Sequence, residues 1–84
     1  MIRVLYFASL RERLRTAEEA LAPPPDVADV SALRQLLAAR GGEWADALAP
    51  DRSVLCAVNQ VIARPERAVT DGDEVAFFPP VTGG

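Results

Sequence analysis

Short runs of apolar residues along the chain predict the strands of a sheet. Residues 1–7 are rich in β-branched and aromatic side chains, and the continuous apolar run at 54–58 is too short for a helix. A third strand is predicted at 74–78, directly after the strong turn sequence Thr-Asp-Gly-Asp. Residues 18–21 are compatible with an edge strand, because the prolines at 23–25 cannot donate hydrogen bonds to a sheet.

A helical spacing of apolar residues predicts one main helix in the middle of the chain. Asp29 or Ser31 can cap its first turn, and the helix should run to about Arg40. The glycines Gly41 and Gly42 then predict a left-handed stop. The apolar residues at helical spacing are Val30, Leu33, Leu36 and Leu37.

Two shorter helical segments and one tight turn complete the pattern. Leucines four positions apart within residues 9–15 predict one or two turns of helix. A second short helical turn is predicted around residues 44–48. The Asn-Gln pair at 59–60 predicts a tight turn, because asparagine tolerates positive φ.

This order of elements indicates an α+β fold with a mixed sheet. The main helix would cover one face of the sheet and leave the other face open. The 84 residues are predicted to form a single domain at 1–80, followed by a flexible tail at 81–84. A chain this short can have a compact core but no large active-site cavity.

The alternation of side chains along a strand assigns residues to the two faces of the sheet. Arg3 must reach water, so Phe7 shares its open face, and the charge of Glu74 places Phe78 on that face. Together with Ile62, these rings predict an exposed apolar patch of the kind that binds a partner. Alternation also puts two smaller residues on the open face, Leu5 and Ala76. The side chains that it sends to the core are Ile2, Val4, Tyr6, Val75 and Phe77.

The composition excludes many kinds of self-sufficient catalyst. Histidine is absent and all nine basic residues are arginines, so the chain has neither an imidazole base nor a lysine amine. The single cysteine excludes an internal disulfide and a multi-thiolate metal site. A net charge of -3 with scattered arginines argues against nucleic acid as a partner.

The overall balance of residues is that of a folded protein outside the membrane. Hydrophobic residues make up 50% of the chain and charged residues 25%. We find no apolar stretch of membrane-spanning length and no pattern of a secretory signal. The expected compartment is the cytoplasm.

The most distinctive chemical feature is the end of the sequence, Val-Thr-Gly-Gly at residues 81–84. Because glycine has no Cβ, Gly83 and Gly84 form the thinnest peptide that can enter a narrow channel. An enzyme could therefore reach the terminal carboxylate of Gly84. The alternative is a frayed chain end without a role.

Three other features have simpler structural interpretations. Cys56 could be a reactive thiol, but a lone cysteine within a strand is usually a buried apolar side chain of low reactivity. Asp71 and Asp73 could hold a metal ion, although two acids around a glycine usually stabilise a turn. Three arginines of the short helix are interpreted as a solvated face: Arg11, Arg13 and Arg15.

Three segments of the chain resemble the small subunit of molybdopterin synthase, a family of sulfur carriers. These segments are residues 1–8, 57–60 and, above all, 70–84, whose sequence is Thr-Asp-Gly-Asp-Glu-Val-Ala-Phe-Phe-Pro-Pro-Val-Thr-Gly-Gly. The resemblance covers nearly the whole length, and the last segment is the most specific part. It implies a ubiquitin-like β-grasp fold, which agrees with the order of elements.

The resemblance also implies a function for the chain end. The Gly84 carboxylate would be adenylated by an ATP-dependent, E1-like adenylyltransferase and converted to a thiocarboxylate with sulfur from a sulfurtransferase. The tail would then enter the large synthase subunit and give its sulfur to cyclic pyranopterin monophosphate.

By the same resemblance, the chain would be a non-catalytic subunit of a heterotetramer. Catalytic groups are expected on the large subunit, and neither a cofactor nor a metal is expected on this chain. Gly83 would thread the channel with Gly84. The expected partner-binding residues are Phe7, Ile62, Phe78, Pro79, Pro80, Val81 and Thr82.

Two kinds of alternative remain open. A sulfur carrier for thiamine thiazole synthesis, or a ubiquitin-like protein modifier, would use the same tail with another acceptor. A non-catalytic ubiquitin-like interaction domain would carry its terminal glycines incidentally. The Phe-Phe-Pro-Pro segment at 77–80 favours the molybdopterin function.

Overall fold

The structure of the protein is a computed structural model that describes residues 1–80. The flexible tail predicted at 81–84 lies outside the described residues. The elements follow one another as β1 Ile2–Tyr6, α1 Ala8–Leu14, β2 Glu18–Leu21, α2 Val30–Ala38, α3 Gly42–Ala47, β3 Leu55–Val58, β4 Val61–Ala63 and β5 Glu74–Phe78.

The strands form a mixed five-stranded sheet in the order β2-β1-β5-β3-β4. The neighbours β1 and β5 run parallel, whereas the other neighbouring strands are antiparallel. Strand β2 lies at one edge, as the prolines after it predict. The predicted α+β fold with a mixed sheet is therefore confirmed.

Helix α2 begins where the sequence predicts but ends earlier. The Asp29 side chain accepts a hydrogen bond from the backbone N–H of Ala32 at 2.8 Å, which caps the first turn. Leu33 and Leu37 on its inner face are fully buried. The predicted glycine stop is wrong, because α2 ends at Ala38 and its capping residue has a right-handed conformation.

The two glycines after α2 serve the start of α3 instead. Gly41 has a φ of +79° and is the N-cap of α3, and Gly42 has a φ of +55°. Positive φ values at two consecutive positions suit glycine, since it has no Cβ. They turn the chain from the end of α2 into α3.

The predicted turn at 59–60 joins β3 to β4. Asn59 and Gln60 both have positive φ, 50° and 69°, as a two-residue hairpin of the primed type requires. The Asn59 side chain accepts a hydrogen bond from the backbone N–H of Glu74 and donates one to Asp73, both at 3.0 Å. The turn residue therefore also fixes the start of β5.

The hydrophobic core lies between the sheet and the helices. The assignment of inward side chains is confirmed, since each of them is at most 1% exposed: Ile2, Val4, Tyr6, Val75 and Phe77. Leu10 and Leu14 of α1 and Leu48 after α3 complete the core beneath the short helices. Every helix within residues 1–80 is too short or too polar to cross a membrane.

Candidate functional site

The face of the sheet opposite the helices carries a continuous apolar surface, which we call the open-face patch. Directly paired residues share a face of the sheet, so the strand register arranges this patch in two rows. The first row is Leu5, Ala76, Ala57 and Ile62, and the second contains the pair Phe78 and Leu55. Phe7 follows the last residue of β1 and continues the second row next to Phe78. The patch extends from β1 to the edge strand β4.

The members of the open-face patch differ in how much surface they leave for a partner. Phe7 is 47% exposed and Ile62 is 69% exposed, whereas Phe78 is partly buried. Leu55, which the sequence analysis does not single out, is 40% exposed. Ala76 lies on the predicted face but is only 8% exposed, as is Ala57, its paired residue in β3.

The two ends of the open-face patch have different chemistry. At one end, Arg3 donates to the carboxylate of Glu18 at 2.6 Å and lies 3.9 Å from that of Glu74. At the other end, β5 leaves the sheet at Phe78 and continues into the prolines at 79–80. A partner that covers the patch is therefore adjacent to the start of the tail.

The predicted site residues outside the described residues are Val81, Thr82, Gly83 and Gly84.

A polar and aromatic cluster on the helix side was not evident from the sequence. The Tyr6 hydroxyl donates to the Glu19 carboxylate at 2.9 Å, and Arg40 donates to both oxygens of that carboxylate at 2.9 and 2.6 Å. The Arg40 guanidinium lies 4.3 Å from the centre of the Trp44 ring. The Trp44 and Tyr6 rings pack edge to face, with their centres 5.3 Å apart. The cluster ties β1 and β2 to the ends of the helices.

The contacts within this cluster shift the pKa values of Glu19 and Tyr6. Hydrogen bonding to Arg40 holds the pKa of Glu19 below its usual value. Burial, followed by the hydrogen bond to Glu19, raises the pKa of Tyr6. Each polar group already has its partner, so the cluster stabilises the fold and leaves no group poised for acid–base chemistry.

Cys56 is a core residue in the structure. Its side chain is only 6% exposed, and burial raises the pKa of its thiol to about 11. At neutral pH the thiol is therefore protonated, whereas the thiolate is the form that attacks electrophiles and binds metals. This environment supports the structural interpretation of Cys56 over the role of a sulfur carrier.

The two aspartates around Gly72 have separate contacts. Asp73 accepts from the backbone N–H of Thr70 at 2.8 Å, and this bond, together with that from Asn59, lowers its pKa. Asp71 forms an ion pair with the amino group of Met1. Among residues 1–80, no three histidine, cysteine, aspartate or glutamate side chains converge where they could hold a metal ion.

The interpretation of the α1 arginines as a solvated face is wrong for Arg13. Its guanidinium donates to Glu43 at 2.9 Å and also bonds Asp46, so it links α1 to α3. The pairing was not visible in the sequence because the acids lie 30 and 33 positions away. Arg11 and Arg15 are exposed, as the sequence predicts.

A groove of about 690 Å³ opens on the helix side between α2 and the β3–β4 hairpin. Cys56 and Phe77 lie at its base, and Arg34, Ala63 and Arg64 are among the residues that line it. Helix α2 has only nine residues and leaves this side of the sheet incompletely covered.

A mixed sheet in this strand order, covered on one face by one main helix, defines the protein as a ubiquitin-like β-grasp protein. SAMP1 from Haloferax volcanii has the same fold, with a TM-score of 0.80 at 24% identity, covering 99% of this chain and 98% of that one. A protein of Pyrococcus furiosus described as molybdopterin converting factor subunit 1 has a TM-score of 0.77 at 27% identity, covering 95% and 97%. A complex of subunits 1 and 2 of that factor from Helicobacter pylori contains the fold too, with a TM-score of 0.67 at 20% identity over 99% and 97%.

The sequence comparisons define the class more narrowly. The model of the ThiS family matches residues 4–84, and the chain belongs to this family. It is 51% identical over 84 residues to the molybdopterin synthase sulfur carrier subunit of Escherichia coli, and 45% identical to that of Haemophilus influenzae. Both alignments cover 100% of each chain. The resemblance noted from the sequence is thereby confirmed.

Proposed function

We propose that this protein carries sulfur for molybdenum cofactor biosynthesis as a thiocarboxylate on Gly84. The observation that carries the proposal is the 51% identity, over the full length of both chains, to a molybdopterin synthase sulfur carrier subunit. The open-face patch beside the start of the tail supports it, because a carrier must dock before its end can react. The acceptor of the sulfur is cyclic pyranopterin monophosphate, in the active site of the large synthase subunit.

The carboxylate of Gly84 needs activation before it can take up sulfur. A terminal carboxyl group has a pKa of about 3.3–3.7, so at neutral pH it is an anion and a poor electrophile. Attack of the carboxylate on the α-phosphate of ATP gives an acyl-adenylate and releases pyrophosphate. Sulfide (HS⁻) made available by the sulfurtransferase then attacks the carbonyl carbon, displaces AMP and leaves the thiocarboxylate.

The delivery step returns the carrier to its starting state. The thiocarboxylate sulfur attacks a carbon of the acceptor and displaces an oxygen substituent from it, and water then cleaves the bond between that sulfur and the carbonyl carbon of Gly84. Sulfur stays on the acceptor, and the carboxylate is ready for another adenylation. The chain has no histidine or lysine, so the acids, bases and phosphate-binding groups of these steps come from the partner enzymes.

The dimensions of the tail fit delivery into a recessed active site. Gly84 is six residues beyond Phe78, the last residue of β5. Six extended residues span at most about 20 Å, which sets the depth that the carboxylate can reach from a docked domain. Glycine at 83 and 84 keeps the end of this segment free of side chains.

The test is the intact mass of the chain after incubation with ATP, a sulfide source and the adenylyltransferase. We expect one oxygen to be replaced by one sulfur, and no change when ATP is omitted. A matched control adds one alanine after Gly84, which moves the carboxylate by about 3.5 Å and should abolish the reaction without changing the fold. A wild-type chain whose mass does not change would contradict the carrier function and favour a plain interaction domain.

The acceptor distinguishes the remaining alternatives. A thiamine carrier or a protein modifier would be activated in the same way but would not yield molybdopterin with the large synthase subunit. We therefore expect the purified thiocarboxylate form to convert cyclic pyranopterin monophosphate to molybdopterin when that subunit is added. Failure at this step, after successful activation, would assign the carrier to another acceptor.

A further inference from the structure

The two edges of the sheet differ in how they are protected from pairing with other strands. Edge strand β2 carries Glu18 and Glu19, each held in an ion pair with an arginine. Edge strand β4 is uncharged, and its β-branched residues Val61 and Ile62 are 68% and 69% exposed. Charged residues on an edge prevent unwanted pairing, whereas an uncharged β-branched edge is a template for a further strand.

The backbone groups that β4 offers to such a strand belong to Ile62. The N–H of Asn59, the residue directly after β3, donates to the carbonyl of Glu74 in β5 at 2.8 Å, so at this position the backbone bonds β5. Bonding alternates along an antiparallel strand, so the preceding residue, Val58, bonds its opposite neighbour Val61 in β4. Ile62, the next residue of β4, therefore turns its N–H and C=O away from the sheet.

We propose that β4 pairs antiparallel with β4 of a second copy of this chain, about a two-fold axis through Ile62. Each Ile62 then donates one backbone hydrogen bond to the partner's Ile62 and accepts one from it, as a closed symmetric contact requires. The two five-stranded sheets become one continuous sheet. Both open-face patches lie on the same side of it.

The side chains on the helix side of β4 are complementary under this symmetry. Val61 shares its face with the core residue Val58, and Ala63 shares that face with Cys56. Because the two-fold axis passes through Ile62, the residue before it in one copy lies opposite the residue after it in the other. Each exposed Val61 therefore contacts the partner's Ala63. Ala63 is small and lines the groove beside α2, which leaves room for the valine.

The charges near β4 also permit this pairing. The same register places Arg64 opposite the partner's Gln60, so no like charges face each other across the strands. Self-pairing of β2 would instead bring its glutamates close to those of the second copy. The β4 edge can therefore pair with a second copy, because its free backbone groups point outward, its side chains are complementary in size and it brings no like charges together.

The contact is small, and the expected dimer is therefore weak. It consists of two backbone hydrogen bonds and a few apolar side chains, which is below the roughly 1,200 Å² of interfaces in stable complexes. We expect a dissociation constant of about 0.1–1 mM. The inference does not depend on sulfur carriage, although a partner enzyme that covers Ile62 would compete with the dimer.

The test is sedimentation equilibrium of the whole chain at concentrations up to about 2 mM, which is about 2 to 20 times the expected dissociation constant. The average mass should rise towards twice that of the monomer. Ile62→Pro removes the outward N–H and spares the β3–β4 bonds, so it should abolish the rise. The matched control Ile62→Val keeps the donor and a β-branched side chain, and it should dimerise within about threefold of the wild type. Circular dichroism of both variants checks that they fold.

If Ile62→Pro fails to fold, a second variant still tests the proposal. Val61→Lys leaves the backbone unchanged and places an ammonium group against the partner's Ala63, so the dissociation constant should rise at least about tenfold. A wild-type chain that stays monomeric at about 2 mM overturns the proposal. Equal dimerisation of Ile62→Pro and Ile62→Val also overturns it, because association then uses another surface, such as the open-face patch.

The experiment also separates a second copy from a strand of another protein. If β4 pairs with a strand of another protein, the chain stays monomeric, and Ile62→Pro binds a purified partner enzyme more weakly than Ile62→Val does. This result would assign the β4 edge to the partner and reject self-pairing. Because thiocarboxylate formation is measured separately, the proposed function can stand or fall independently of either outcome.

Discussion

Replacing Phe7 by alanine should weaken partner binding while leaving the fold intact. The ring is 47% exposed in the free protein, and a phenylalanine side chain has roughly 200 Å² to bury, so about 95 Å² remain for a partner to cover. At roughly 25 cal/mol per Å², this area is worth about 2.4 kcal/mol. The affinity for the large synthase subunit should therefore fall about 50-fold.

Two phenylalanines on β5 provide the comparison. Phe78 is already partly buried, so less of its surface remains for a partner, and Phe78→Ala should weaken binding by only about 5- to 15-fold. Phe77 is 1% exposed, and Phe77→Ala should lower the free energy of unfolding by about 3–5 kcal/mol. That loss is a large part of the roughly 4–13 kcal/mol expected for a domain of 84 residues.

Calorimetric titration with the large subunit gives the affinities, and urea unfolding gives the stabilities. We expect the unfolding free energy of Phe7→Ala to stay within about 1 kcal/mol of the wild type, because the ring is half-exposed. If Phe7→Ala unfolded the domain while Phe77→Ala only weakened binding, the two faces of the sheet would be inverted. The proposed interface would then be wrong.

Three further predictions concern the tail, the cluster on the helix side and the buried thiol. Gly83→Ala should impair adenylation or sulfur delivery, because a methyl group must enter a channel that accepts bare backbone; thermal unfolding should barely change, and a large drop would show that the tail is packed against the domain. Glu19→Gln should lower the free energy of unfolding by about 1 kcal/mol at pH 7, measured by urea unfolding. The difference should shrink as the pH falls below about 4.5, because the lowered pKa of Glu19 means that its stabilisation is present above the unfolded-state value and is lost on protonation. Alkylation of Cys56 near pH 8 should be at least roughly 100-fold slower than that of an unfolded control, because burial raises its pKa from 9.0 to about 11; comparable rates would contradict its burial.

Features that depend on local spacing could be predicted from the sequence. The alternation around Arg3 and Glu74 assigned the buried and open faces of β1 and β5, because one charged residue fixes the face of each strand. The cap of α2 at Asp29 and the turn at Asn59 followed from side-chain chemistry within a few residues. Such features need no knowledge of which distant elements meet.

Features that depend on distant contacts could not be predicted in this way. Glu19 meets Arg40 only because β2 and the end of α2 lie together in the fold, and their separation of 21 residues has no periodic signature. The exposure of Leu55 depends on the register between β3 and β5, which no single strand reveals. The groove beside β4 depends on how far α2 extends across the sheet, and the glycines suggested a longer helix than the structure has.

The position of β5 in the sheet connects the fold with the proposed chemistry. Under the proposed function, the tail would be inserted into one active site after another and would transmit force to the strand from which it emerges. Strand β5 is bonded to β1 on one side and to β3 on the other, so it resists such force better than an edge strand with one neighbour. Under the proposed function, the adenylyltransferase and the large subunit would need the same carboxylate and would therefore bind in turn.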